Sequence, residues 1–161
     1  MKRSLFVKLV VIIGLVGVIG VAANRVVGAQ STHVMQNVSE AKWGPAPPML
    51  PAGAEVAVVS GDPSKTGSFV LRLRFPANYA IPAHSHPTDE NVVVVSGSLF
   101  VGMGDKLDRA AGQAVAPGGF VSLPEHMNHY AYTKSASTIL LYAQGPFDFK
   151  YVNPKDDPRN K

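Results

Sequence analysis

From Glu55 onward no stretch of about a dozen residues carries the three-to-four spacing of an amphipathic helix. The chain instead runs through short apolar segments, each closed by glycine, proline or aspartate. Ser68–Phe75 is the clearest: Phe69, Leu71, Leu73 and Phe75 share one face and Val70, Arg72 and Arg74 the other. That period of two is a half-buried strand. Glu55–Val59, Tyr79–His86, Asn91–Val95, Ser98–Met103, Gln113–Ala116, Phe120–Leu123, His129–Thr133, Thr138–Ala143 and Phe147–Val152 complete the series. Eight or more short strands in about 100 residues predict an all-β antiparallel sandwich or barrel. Ser96-Gly97, between two β-rich runs, predicts a tight hairpin turn.

The 161 residues suffice for one domain with a hydrophobic core and exclude a large two-domain enzyme. Residues 30–53 are polar and then proline-rich, with Pro45, Pro47, Pro48 and Pro51 around Met49 and Leu50. This predicts an extended arm laid over a domain spanning 54–152, with 153–161 as a charged, proline-interrupted surface tail. Trp43, the one tryptophan, is expected to pack within the arm.

Residues 1–29 read as a signal helix. Lys2, Arg3 and Lys8 precede Leu9–Ala23, an uncharged stretch of 15 residues, shorter than the ~20 that span a bilayer. Val21-Ala22-Ala23 and Val27-Gly28-Ala29 both suit signal peptidase, so cleavage is expected after Ala23 or Ala29. A retained anchor is the alternative. Export to the periplasm or medium follows, with no stable membrane association after cleavage. The leader also explains the net charge of +4: it holds four of the fifteen basic residues and no acid. The remainder balances eleven basic against eleven acidic groups, which leaves no electrostatic case for nucleic acid. The absence of cysteine removes thiol nucleophiles, thiolate metal sites, disulfides and lipid acylation.

Four of the five histidines fall in two clusters. In His84-Ser85-His86-Pro87-Thr88-Asp89-Glu90, the histidines at i and i+2 of a strand face one side and can share a metal. Pro87 turns the chain and brings Glu90 to the start of the next strand. About 40 residues on lies Glu125-His126-Met127-Asn128-His129, after the turn Pro117-Gly118-Gly119. Three imidazoles and a carboxylate suit a divalent first-row metal, with two positions left open on an octahedral ion. Iron, manganese, nickel and zinc all fit such a set. His33 has no neighbouring partner and receives no role.

His84-x-His86-x3-Glu90-x6-Gly97 resembles the first motif of the cupin superfamily, and Gly118-x5-Pro124-x-His126-x2-His129-x3-Thr133 resembles the second. The likeness covers roughly residues 55–145 and is strongest to small, exported, single-domain RmlC-like cupins. It implies a jelly-roll (double-stranded β-helix) barrel with a metal in its mouth. Its register implies His84, His86, Glu90 and His129 as ligands, with Glu90 preferred over Asp89. Asn78 and His126 stand where the family usually has glycine, and Thr133 where it has asparagine. His126 is read either as a polar group near the metal or as a rim residue; the register favours the rim. Tyr79 and Met103 are further candidates for the metal's surroundings. Tyr79 is nevertheless out of phase with His84 and His86, and Tyr130 and Tyr132 are out of phase with His129. Phe69, Leu71, Leu73, Val101 and Met103 are expected to line the interior, suiting a small apolar-bodied ligand with a chelating oxygen.

The implied activity is a metal-dependent enzyme, dioxygenase-like or Lewis-acid, on a small oxygen-chelating substrate. A non-catalytic metal- or ligand-binding module is the alternative. The fold is used both ways. A homodimer through edge strands and N-terminal arms is expected from the resemblance.

Overall fold

The alternation of residues 67–75 becomes a nine-residue strand whose Phe69, Leu71, Leu73 and Phe75 are all buried. It is one of eleven strands in a computed structural model that describes residues 33–161; the predicted signal helix and its cleavage sites lie outside the described residues. In chain order the strands are β1 (Gly44–Pro45), β2 (Glu55–Ser60), β3 (Gly67–Phe75), β4 (Ala80–Ser85), β5 (Glu90–Ser96) and β6 (Leu99–Met103). They continue with β7 (Gln113–Val115), β8 (Phe120–Leu123), β9 (His129–Thr133), β10 (Ser137–Gly145) and β11 (Lys150–Tyr151).

Two antiparallel sheets result, ordered β1-β2-β3-β10-β5-β8 and β11-β4-β9-β6-β7. The first is centred on β3 and β10, paired without a break from Ser137↔Phe75 to Gly145↔Gly67. Their inward residues interdigitate with Ile81, Leu99, Val101 and Ala131 of the second sheet to form one core. This is a jelly roll: from β3 to β6 and again from β7 to β11 successive strands alternate between sheets, and each inner face buries the apolar half of its period-two pattern.

That topology corrects one expectation. Ser96-Gly97 is not a hairpin turn, because β5 and β6 belong to different sheets. The chain crosses over at Gly97, whose φ of 73° and closeness to the Ala136 carbonyl and Ser137 leave no room for a side chain. The Ser137 hydroxyl bonds both the backbone N–H and the carbonyl of Ser98, and so fixes the crossover.

The arm is built as well as extended. Val38–Glu40 forms a 3₁₀ turn, and Gly44–Pro45 adds β1 to the edge of β2. Trp43 packs beneath the Arg74 guanidinium, 3.7 Å from the ring centre. Leu50 is buried in the core, and the hydroxyls of Tyr79 and Tyr151 donate to the carbonyls of Pro51 and Met49. The tail is more ordered than its charge pattern predicts. It forms 3₁₀ turns at Pro154–Asp156 and Pro158–Asn160, each begun by a side chain (Asn153, Asp157) that accepts a backbone N–H.

Candidate metal centre

Register brings the two histidine clusters together. In the β4–β9 ladder His84 lies opposite His129, and on its other side Tyr151 of β11 pairs with His84. His86 follows the end of β4, and Glu90 opens β5 in the facing sheet, opposite Leu123 of β8 and Ala143 of β10. The site therefore lies between the sheets. His84, His86, Glu90 and His129 are all buried, whereas Asp89 is exposed and accepts the Glu125 N–H.

The rings of His84, His86 and His129 are each held at one nitrogen. Nδ1 lies 2.6 Å from the Pro82 carbonyl in His84, 2.8 Å from that of Asp148 in His86 and 2.9 Å from that of Met127 in His129. A carbonyl only accepts, so each Nδ1 carries a proton, and in the neutral ring Nε2 is then the lone pair. A ring nitrogen of each of the three lies within 4.8 Å of one from each of the others. The Nε2 atoms of His86 and His129 are buried with no hydrogen-bond partner, and each is 3.4 Å from Glu90 Oε2.

Burial, and then the neighbouring His129 and His86, depress His84 from 6.5 to about 3, keeping it neutral. Burial raises the Glu90 carboxyl, and an N–H from His129 or His86, or a cation in its place, is what holds it below the usual carboxylate range. An ionised carboxylate and inward-facing lone pairs then share one small buried volume. Such an arrangement is costly unless a cation sits among them. The donor set fits a divalent metal: neutral imidazoles with second-site hydrogen bonds, plus one hard oxygen.

An apolar cavity of about 310 Å³ opens beside the cluster. His84, His129 and Glu90 form part of its wall, and Leu71, Leu73, Val101 and Phe149 belong to the apolar remainder. The arm contributes Pro47, Met49 and Leu50. Ser64, which is exposed, is the only other polar side chain of the wall among the described residues.

Other sequence candidates fall elsewhere. Tyr79 stacks on Phe75 and donates to Pro51, outside the cavity wall. Met103 is half exposed and belongs to a separate groove beside β7 and β8, because β6 runs out of the interior at its end. Phe69 is fully buried against Phe147 but does not reach the cavity. His126 is exposed at the rim; its backbone N–H donates to the His86 carbonyl, and its φ is 62°. Asn78 has φ 60°, so both residues found in place of glycine hold the left-handed conformation that glycine would adopt. The Thr133 hydroxyl donates to Pro76 and accepts from the Tyr79 N–H, closing the turn that contains Asn78.

Sequence reasoning overlooked Phe147, Asp148 and Phe149. Phe147 stacks on His86 at 4.3 Å, and Phe149 on His84 at 4.7 Å. The alternation Phe147-x-Phe149-x-Tyr151 was visible in the sequence; its docking against β4 was not.

The family model of the ChrR cupin-like domain matches residues 31–148. No curated protein sequence matches the chain. Among solved structures, a candidate acetylacetone dioxygenase from Methylibium petroleiphilum superposes with a TM-score of 0.63 at 19% identity, covering 81% of this chain and 88% of that one. The polyketide cyclase RemF from Streptomyces resistomycificus gives 0.59 at 18%, covering 77% and 89%. An RmlC-like cupin from Shewanella frigidimarina gives 0.55 at 13%, covering 71% and 91%. At these identities the likeness is one of fold.

Proposed function

This chain belongs to the ChrR cupin-like domain family, and from that premise we propose that it is an exported, metal-dependent enzyme acting on a small oxygen-chelating molecule with an apolar body. The observation that carries the reading is the pair of buried, unpartnered Nε2 atoms facing Glu90. His84, His86, His129 and Glu90 would hold the ion, and the carbonyls of Pro82, Asp148 and Met127 orient the three rings for it. When bound, a divalent metal supplies Lewis acidity or, as iron, dioxygen activation. Export rests on the cationic start and the short apolar run of residues 1–29.

The cavity supports the substrate class. Among the described residues its polar side chains are His84, His129, Glu90 and the exposed Ser64, and no lysine or arginine lines it. A second anionic group on the ligand would be buried without a counter-charge, at a cost of several kcal/mol. A neutral diketone or hydroxyketone meets the cluster with its oxygens and leaves only carbon against Leu71, Leu73 and Val101. At about 310 Å³ the space lies at the small end of ligand pockets, ~300–1,000 Å³.

A barrel that holds metal and ligand without turnover is the second reading. What favours it is that, among the described residues, the cavity wall offers no acid or base besides His84, His129 and Glu90. The test is turnover of a panel of small neutral diketones by the native protein, by chelator-treated protein and after metal is restored. Activity lost and regained with metal supports the enzyme. Saturable binding without turnover supports the module. Turnover indifferent to metal removal contradicts both.

A further inference from the structure

Residues 147–149 carry four contacts to the histidines yet belong to no strand. β10 ends at Gly145 and β11 begins at Lys150. Phe147 lies flat on His86 and Phe149 on His84 and at right angles to His86, while the Asp148 carbonyl accepts a hydrogen bond from His86 Nδ1–H. At its start the segment is tied by the Phe147 N–H to the Pro63 carbonyl. At its end the tie comes from the tail: Arg159 Nη1 meets Asp148 Oδ1 at 2.8 Å, and Nη2 donates to the Phe149 carbonyl at 2.7 Å.

The guanidinium is aimed before it arrives. Asp157 Oδ1 accepts the Arg159 backbone N–H at 3.0 Å and Nε at 2.9 Å, and Oδ2 accepts Nη2 at 2.8 Å. Proline opens each of the two 3₁₀ turns, fixing their backbone, and Asn160 Nδ2 donates back to the Pro154 carbonyl. Asp148 also receives the Phe149 N–H on the oxygen that faces Arg159. The Arg159 side chain is one-third exposed, and an ion pair there adds little to global stability. What it fixes is the place of a carbonyl and two rings.

We infer that Arg159 is a positioning residue for the metal centre, acting through Asp148 and Phe149 to hold His86 in its Nδ1-protonated form and to seat the rings against His84 and His86. The inference rests on the metal-binding reading above for its first readout but not for its second. A flat fork that reaches a carboxylate and a carbonyl together suits arginine; lysine has one ammonium for the two.

The test compares full-length wild type with Arg159→Ala and Arg159→Lys. Cobalt(II) affinity is measured by chelator competition, and the ring ¹⁵N signals of His86 and His129 are recorded in metal-free protein. Arg159→Ala is expected to bind cobalt roughly tenfold more weakly. Its His86 ring should populate the other tautomer while His129, tied to Met127, stays as in wild type. Wild-type affinity with an unchanged His86 ring would overturn the inference, as would equal disturbance of His86 and His129, which marks a merely structural role. If Arg159→Ala does not fold, Arg159→Lys decides by the same two readouts. If wild type takes up no cobalt, the metal reading fails, and the His86 tautomer in the metal-free proteins still decides the role of Arg159.

Discussion

Strand β9 has two faces, both buried, that satisfy their polar atoms in opposite ways. Tyr130 and Tyr132 point away from the barrel interior beneath residues 108–112, each 1% exposed. Their hydroxyls donate to the carbonyls of Asp108 and Arg109 at 2.9 and 2.7 Å. Tyr130 lies across Gly102, its partner on β6, where any side chain would collide with the ring. Tyr132 stacks on Phe100. The inward face, one residue out of phase, carries His129 and Ala131, and there a buried ring nitrogen is left without a partner. One strand thus serves stability on one side and presents a candidate metal ligand on the other. A full hydrogen-bond account marks the first, and an unpaired lone pair beside a carboxylate marks the second.

If that division holds, inward substitutions remove metal and leave the fold, while outward ones do the reverse. The largest effect is expected at Glu90 and His129. Glu90→Gln and His129→Ala should each lower metal affinity by at least a hundredfold in chelator competition, and metal-free Glu90→Gln should melt no lower than metal-free wild type, because a buried unpaired anion has gone. Next comes Tyr132→Ala, expected to cost about 3–5 kcal/mol in denaturant unfolding of the metal-free protein. Metal stoichiometry of the folded fraction should be unchanged.

The third effect depends on pH. His84 titrates near 3 in the folded protein and near 6.5 when unfolded, so between those values the unfolded chain holds a proton the folded one refuses. The stabilisation is full above about 6.5 and is lost as pH falls toward 3, at up to ~1.4 kcal/mol per pH unit. Thermal melts of chelator-treated protein at pH 7, 5 and 4 should fall in that order. The smallest effect is Tyr130→Phe, which removes one hydroxyl bond and leaves the Asp108 carbonyl with the Gly112 N–H alone, for about 1 kcal/mol on unfolding and no change in metal binding.

The period-two runs made the strands readable, because a one-sided burial pattern leaves little choice of face: β3 buries its alternate residues Phe69, Leu71, Leu73 and Phe75. Partners were not readable from alternation alone. Ser96-Gly97 has the residues of a hairpin, and only the pairing of β5 with β8 and β10 shows that the chain changes sheets there. The histidine spacing pointed to the residues the structure gathers, and the choice of Glu90 over Asp89 coincides with which carboxylate is buried. Met103 and Tyr79 lie outside the cavity wall for different reasons. A strand end lets Met103 leave the interior, and the arm supplies Tyr79 with a carbonyl that no local pattern encodes. Arg159 could not be found from sequence, since a charged residue near the C-terminus looks like solvated surface until Asp148 is seen beside it.

The buried Nε2 atoms of His86 and His129 await a divalent ion in the reading proposed above. Elemental analysis of the protein beside the His84→Ala, His86→Ala double variant tests it most directly. The account predicts close to one equivalent of a first-row metal in wild type and background levels in the variant. Wild-type protein that takes up no more metal than the variant, even after reconstitution with iron, manganese, nickel and zinc in turn, would contradict it.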